Sequence, residues 1–132
     1  MRYLKLYLVS LVAFFAIDML WLGLAARSFY QQYLGLLMTS SPNWFVAIIF
    51  YLLFVVGLLV FVVLPGLRAN SLKPTLFRAA LFGLITYATY DLTNLATLKD
   101  WPALLSIVDM LWGTVLSVLV SYISFMACKR LI

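Results

Sequence analysis

Four long runs of almost uninterrupted apolar residues, joined by short connections, leave this chain few options. A hydrocarbon layer of about 30 Å takes roughly 20 residues of helix to cross. A backbone inside it must satisfy its own N–H and C=O groups, which single runs of this length do as helices. The runs fall at about 3–26, 42–64, 76–98 and 102–127. They predict an all-α membrane protein: one domain over residues 1–132, with four transmembrane helices in an antiparallel bundle. Nothing remains for a soluble domain, and with 67% hydrophobic and only 10% charged residues the chain is far from the soluble average of about 25% charged. The run from Leu6 to Ala26 exceeds a signal h-region and contains Asp18, so it reads as a retained span rather than a cleaved leader.

Local signals set the boundaries. Ser41 is the expected N-cap of the second helix with Pro42 in its first turn, and "LPG" after Val63 is expected to end it. Asp100 in "KDWP" is placed to cap the fourth. The first external loop, "RSFYQQYLGLLMTSSP", has Ser28 and Gln31 at capping-box spacing, and Phe29, Tyr30, Tyr33, Leu34 and Leu37 on one helical face. It predicts a short interfacial helix, either a membrane-surface anchor or a lid.

Charge gives the orientation. Arg2, Lys5, Arg68, Lys73, Arg78, Lys129 and Arg130 fall on the side of both termini; only Arg27 and Lys99 fall on the other. That bias predicts a multi-pass protein with cytoplasmic N and C termini. The net charge of +5 is strung along the chain, so it reads as a topology signal rather than a nucleic-acid footprint; membrane lipids are the expected surroundings. There is no histidine, and Cys128 is the single cysteine, which removes the usual transition-metal ligands and the commonest general base.

Three of the four acidic residues lie inside apolar runs: Asp18 in "AIDMLWLG", Asp91 in "TYDLTN" and Asp109 in "IVDMLWGT". Counted at 1.5 Å per residue from the external ends of their spans, all three lie about 10 to 12 Å below the outer surface. Asp18 shares a helix face with Trp21, Asp109 with Trp112, and Asp91 with Asn94 and Tyr87. The third helix is the most polar span, with Tyr90 and several threonines besides, and is expected in the middle of the bundle. Gly113, Ser117 and Ser121 continue a small-residue stripe along the fourth helix, suited to close packing. A carboxylate near the bilayer centre costs about 2.5 to 3.5 kcal/mol on the lenient insertion scale. Arg27 and Lys99 can reach from the rim, but two cations do not cover three acids. The remainder must protonate, bind a cation or face water.

The segments "DMLWLG", "YATYDLTNLATL" with "DWP", and "VDMLWGTVLS" resemble a family of small four-span bacterial inner-membrane proteins classed as a domain of unknown function, the family numbered 2177. The resemblance covers nearly the whole chain and implies a four-helix membrane protein. Its signature residues here would be Asp18, Trp21, Tyr90, Asp91, Thr93, Asn94, Trp101, Pro102, Asp109, Trp112 and Gly113. It brings no established activity.

Three functions stay open. One is a pocket of Asp18, Trp21, Tyr87, Tyr90, Asp91, Asn94, Asp109 and Trp112 that binds or transports a proton, a hard cation (sodium, magnesium or calcium on Asp18, Asp91 and Asp109) or a small organic cation. Oxygen-only ligands suit hard ions, aromatic walls suit organic ones, and transport through four helices calls for a homo-oligomer. The second is an intramembrane acid/base enzyme acting on a lipid or isoprenoid, with Asp91, Asp109 and Asp18 as candidate catalytic groups. No nucleotide, nucleophile-elbow or HExxH motif accompanies it. The third is a non-catalytic assembly subunit held together by its polar cluster. No cofactor is called for.

Overall fold

The structure, a computed structural model, describes residues 2–25, 27–35 and 43–131. Those residues are almost entirely helical. Helix α1 (Arg2–Leu20) continues as a π-helical segment, Trp21–Ala25. Its buried residues Leu6, Ser10, Phe14 and Asp18 repeat every four positions, which puts them on one face. A short helix, α2 (Arg27–Leu34), follows. Ser28 is already helical there and does not cap it. Leu37, Ser41 and Pro42 lie outside the described residues.

Helix α3 (Trp44–Leu58) starts at Asn43, whose side chain accepts from the Val46 N–H at 3.3 Å. It does not stop at Leu64-Pro65-Gly66. It passes through a π-helical segment, Leu59–Val63, into α4 (Leu64–Ala69). Pro65 lacks an N–H, and its ring would crowd the carbonyl four residues back in a regular α-helix. A π-helical turn just before it is one of the few ways to keep the helix going. The stop comes at Asn70, in the left-handed region at φ 51°, where asparagine is the usual substitute for glycine.

Helix α5 (Leu72–Thr97) carries Pro74 in its first turn, and α6 (Ala103–Leu131) follows after a tight connection. Asp100 sits in that connection with φ 63°, too far ahead of Ala103 to serve as its N-cap. Among the described residues, three helices are long and apolar enough to cross a membrane: Arg2–Leu24, Trp44–Ala69 and Ala103–Lys129. Helix α5 has the length, but its threonines, tyrosines, Asp91 and Asn94 dilute its apolar character.

The central element is α6 rather than α5. It packs along α5, against α1 and against the α3–α4 helix, and a stripe from Leu105 through Leu116 and Val120 to Cys128 is buried. Helix α5 turns Phe77, Leu81, Ile85, Leu92 and Leu95 outward. Most of its threonines satisfy themselves: Thr75, Thr86, Thr89 and Thr97 each donate to the carbonyl four residues back, so polarity does not force this helix inside.

The α5–α6 seam is close because it is built on glycine. A Cβ on Gly83 would lie 2.3 Å from the Gly113 carbonyl oxygen, and one on Gly113 would lie 2.2 Å from the Tyr87 ring. On the other side of the bundle, Phe14 packs between Tyr51 and Phe54 at ring separations of 5.2 Å. The outer surface keeps many large apolar side chains exposed, Val12, Phe45, Phe61 and Phe77 among them, as a lipid-facing surface does.

Candidate functional site

The helices enclose a cavity of about 440 Å³. Asp18 comes from α1 and Trp21 and Leu22 from its π-helical extension. Tyr30 and Leu34 come from α2, and Ala47, Phe50 and Tyr51 from the start of α3. Helix α5 supplies Thr86, Tyr87, Tyr90 and Asp91; Trp101, Leu105, Asp109 and Trp112 complete the lining. The wall is mainly aromatic and the polar groups are mostly carboxyl and phenol.

The two tryptophans next to the "DML" segments stack face to face, with ring centroids 4.4 Å apart and planes at 8°. Their N–H groups then cross over. Trp112 Nε1 donates to Asp18 Oδ1 at 3.1 Å. Trp21 Nε1 donates to the Tyr30 hydroxyl at 3.3 Å, and that hydroxyl donates to Asp109 Oδ1 at 2.7 Å. Burial, and then the Asp109 carboxylate beside it, push the Tyr30 phenol well above its ordinary range, so it stays a donor at neutral pH. Tyr30 thereby ties α2 to α6.

Asp91 is held differently. Its backbone carbonyl accepts from Ser106 Oγ at 3.0 Å, and Ser106 Oγ accepts from Trp101 Nε1 at 2.9 Å. Its side chain is 0% exposed, lines the cavity, meets no donor on either oxygen among the described residues and has the Asp109 carboxyl beside it. Asp18, at 6% exposure, accepts from Trp112 and has the Tyr51 hydroxyl beside it, and Asp109 accepts from Tyr30. A buried carboxyl that faces another carboxyl rather than a donor is costly to ionise, which makes Asp91 the unusual group of the three.

Of the residues singled out from the sequence, Asp18, Trp21, Tyr87, Tyr90, Asp91, Asp109 and Trp112 line the cavity. Asn94 does not. It lies nearly one turn beyond Asp91, with its backbone carbonyl accepting from Leu98 N–H at 2.8 Å, and neither it nor Tyr87 bonds the Asp91 side chain. Gly113 receives the Tyr87 ring, while Ser117, against Gly83, and Ser121 are buried with hydroxyls that find no partner among the described residues. Among the described residues, no three metal-ligating side chains converge into a group able to hold a metal ion.

Several lining residues carried no sequence signal. Tyr51 sits in a run apolar on every side, where no face stands out. Trp101 reads as an interfacial belt residue, and only the turn at Asp100 brings its indole back onto Ser106. Tyr30 is different: it belongs to the amphipathic face expected of the first loop, which the sequence left open between a surface anchor and a lid.

A family model described as "Predicted membrane protein (DUF2177)" matches residues 3–126. No curated protein and no solved structure matches the chain.

Proposed function

The chain belongs to that family of predicted membrane proteins, and on this premise we propose that it binds a small organic cation in the cavity between Asp18, Asp91 and Asp109. The observation that carries the reading is the Asp91 carboxyl, fully buried, with no donor to either oxygen among the described residues and a second carboxyl, that of Asp109, beside it. A positively charged nitrogen is the partner that best offsets such a group. The surrounding rings of Trp21, Trp112, Tyr87 and Tyr90 offer cation–π contacts of about 0.5 to 2 kcal/mol each. The volume of about 440 Å³ falls in the range typical of small-molecule sites. The aromatic lining favours an organic cation over sodium, magnesium or calcium, and the buried acid keeps proton binding open as a coupled event.

In this reading α5 is a fourth span. At 26 residues it is long enough to cross, and the short turn to α6 keeps both in one layer. Both termini are cytoplasmic on the seven-to-two distribution of Lys and Arg, in a bacterial inner membrane. The cavity then opens toward the outer side, with α2 as an interfacial lid latched by Tyr30. Transport, as opposed to binding, would call for a homo-oligomer to complete a pathway.

A second reading rests on the unequal surroundings of the three carboxyls. Asp18 has an indole donor, Asp109 a phenol donor and Asp91 none, the kind of inequality that separates an acid from a base. It would make the protein an intramembrane acid/base enzyme on a lipid or isoprenoid.

Thermal unfolding in lipid nanodiscs tests the first reading with tetramethylammonium, a primary alkylamine, and sodium, magnesium and calcium, for wild type and Asp91→Asn. A ligand at 100 times its dissociation constant adds about 2.7 kcal/mol. Stabilisation by the organic cations that disappears in Asp91→Asn supports the site. Stabilisation by the metal ions alone moves it to a hard cation. No response, with the variant fully functional in cells, leaves the assembly-subunit reading.

A further inference from the structure

A second cleft lies at the opposite end of the bundle. Two adjoining hollows of about 130 and 240 Å³ share Arg2, Leu6 and Cys128; Lys5 lines the smaller, and Arg68 with Leu64 and Leu67 the larger. Arg2 and Lys5 come from the first turn of α1 and Arg68 from the last turn of α4. Three cations on two helices therefore surround one small space, floored by buried Leu6 and Cys128.

No acidic side chain answers them. The sequence has four, Asp18, Asp91, Asp100 and Asp109. Asp18 is roughly 24 Å further along α1, and Asp109 roughly 28 Å along α6 from Cys128, at 1.5 Å per residue. Asp91 and Asp100 lie with Asp109 toward the other end of α5 and α6. Nor does helix electrostatics account for Arg2 and Lys5, because the N-terminal end of a helix carries partial positive charge and disfavours cations. An anion in the cleft would be attracted by all three side chains and by the start of α1 together.

We propose that this cleft binds a phosphate group. Guanidinium pairs grip phosphate oxygens through forked hydrogen bonds, and Arg2 and Arg68 line the same hollow. Buried Leu6 and the partly buried Leu64 and Leu67 set an apolar wall beside the charged mouth, which suits the headgroup and upper acyl chain of an anionic phospholipid. Free phosphate presents the same group without the chain.

Purified protein in detergent is titrated with phosphatidylglycerol, phosphatidylcholine or inorganic phosphate, and binding is read by native mass spectrometry and by thermal shift. The variants are Arg2→Gln, Arg68→Gln and, as a basic residue outside the cleft, Lys73→Gln. Phosphatidylglycerol is expected to bind and raise the midpoint, phosphatidylcholine is not, and each arginine change weakens binding roughly tenfold or more while Lys73→Gln leaves it unchanged. An equal response to inorganic phosphate identifies free phosphate as the ligand of the same site. The proposal is overturned if Arg2→Gln and Arg68→Gln bind phosphatidylglycerol and phosphate as wild type does, or if Lys73→Gln loses as much as they do. In that case the attraction is the diffuse charge of that end. The acidic cavity takes no part in the test.

Discussion

The indole N–H of Trp112, in the second of two Asp-Met-Leu-Trp segments, donates 3.1 Å to the carboxyl of Asp18 in the first. Trp21 of the first segment reaches Asp109 of the second through the Tyr30 hydroxyl. Each segment thus supplies an acid to the other's tryptophan, and the stacked rings lie between. The near-repeat makes sense as two halves of one interlocked cluster.

Trp112→Phe removes the donor to Asp18 while keeping an aromatic ring in the stack. A hydrogen bond to a carboxyl is worth about 1.5 to 3 kcal/mol when ionised and about 1 when neutral. A loss of that size is expected in thermal unfolding in nanodiscs. Trp112→Leu should lose about 0.5 to 1.5 kcal/mol more, the aromatic pair itself. Equal stability of the Phe variant and wild type would mean that the bond contributes nothing.

Tyr30→Phe cuts the tie between α2 and Asp109. Amide hydrogen exchange over Arg27–Leu34 should accelerate, with the protection of α6 hardly changed. The alkaline limb should change as well. An unfolded phenol loses its proton near pH 10 while the folded Tyr30 holds its own to higher pH. Its contribution to stability is therefore complete below about pH 10 and declines as the pH rises beyond it. That part of the wild-type decline should be missing in Tyr30→Phe, read as the difference between the two pH–stability curves.

The seam glycines give a matched pair. Gly83→Ala puts a methyl against the Gly113 carbonyl, a backbone atom that cannot yield, and overpacking of this kind costs about 1 to 3 kcal/mol. Gly23→Ala has nothing within 4 Å of the new methyl and should be neutral or better, since alanine is the better helix former by about 1 kcal/mol. Unfolding midpoints of the two variants decide it. Similar values would show that α5 and α6 separate easily.

Asp91→Asn should unfold at a higher temperature than wild type while losing the organic-cation response. Replacing a buried carboxyl that has no donor and lies beside a second carboxyl relieves desolvation and crowding, and a binding site kept at the expense of stability is a familiar pattern. A variant less stable than wild type would show that the carboxyl has a structural partner.

The sequence is legible where the rise of a helix does the reckoning. Counting residues from the loop ends placed Asp18, Asp91 and Asp109 at one depth, and all three line one cavity. Rotation about the helix axis is harder to read. Asn94 was grouped with Asp91 on spacing, yet it lies outside the lining. Helix α3 is apolar all round, so the inward turn of Tyr51 follows only from its packing against Phe14 and Phe15. Polarity misled in α5, where threonines bonding their own backbone mimicked a buried face. A proline mistaken for a helix stop hid the continuation through Leu64–Ala69, because a π-helical turn has no composition of its own.

The parallel indoles of Trp21 and Trp112 have a spectroscopic consequence. Two identical chromophores at 4.4 Å with planes at 8° are close enough for their transition dipoles to couple, and such coupling splits absorption and shapes near-ultraviolet circular dichroism. Both rings wall the cavity, so anything that enters and parts or tilts them changes that signal. The purified protein in a bilayer then carries its own optical gauge of occupancy, readable without a label.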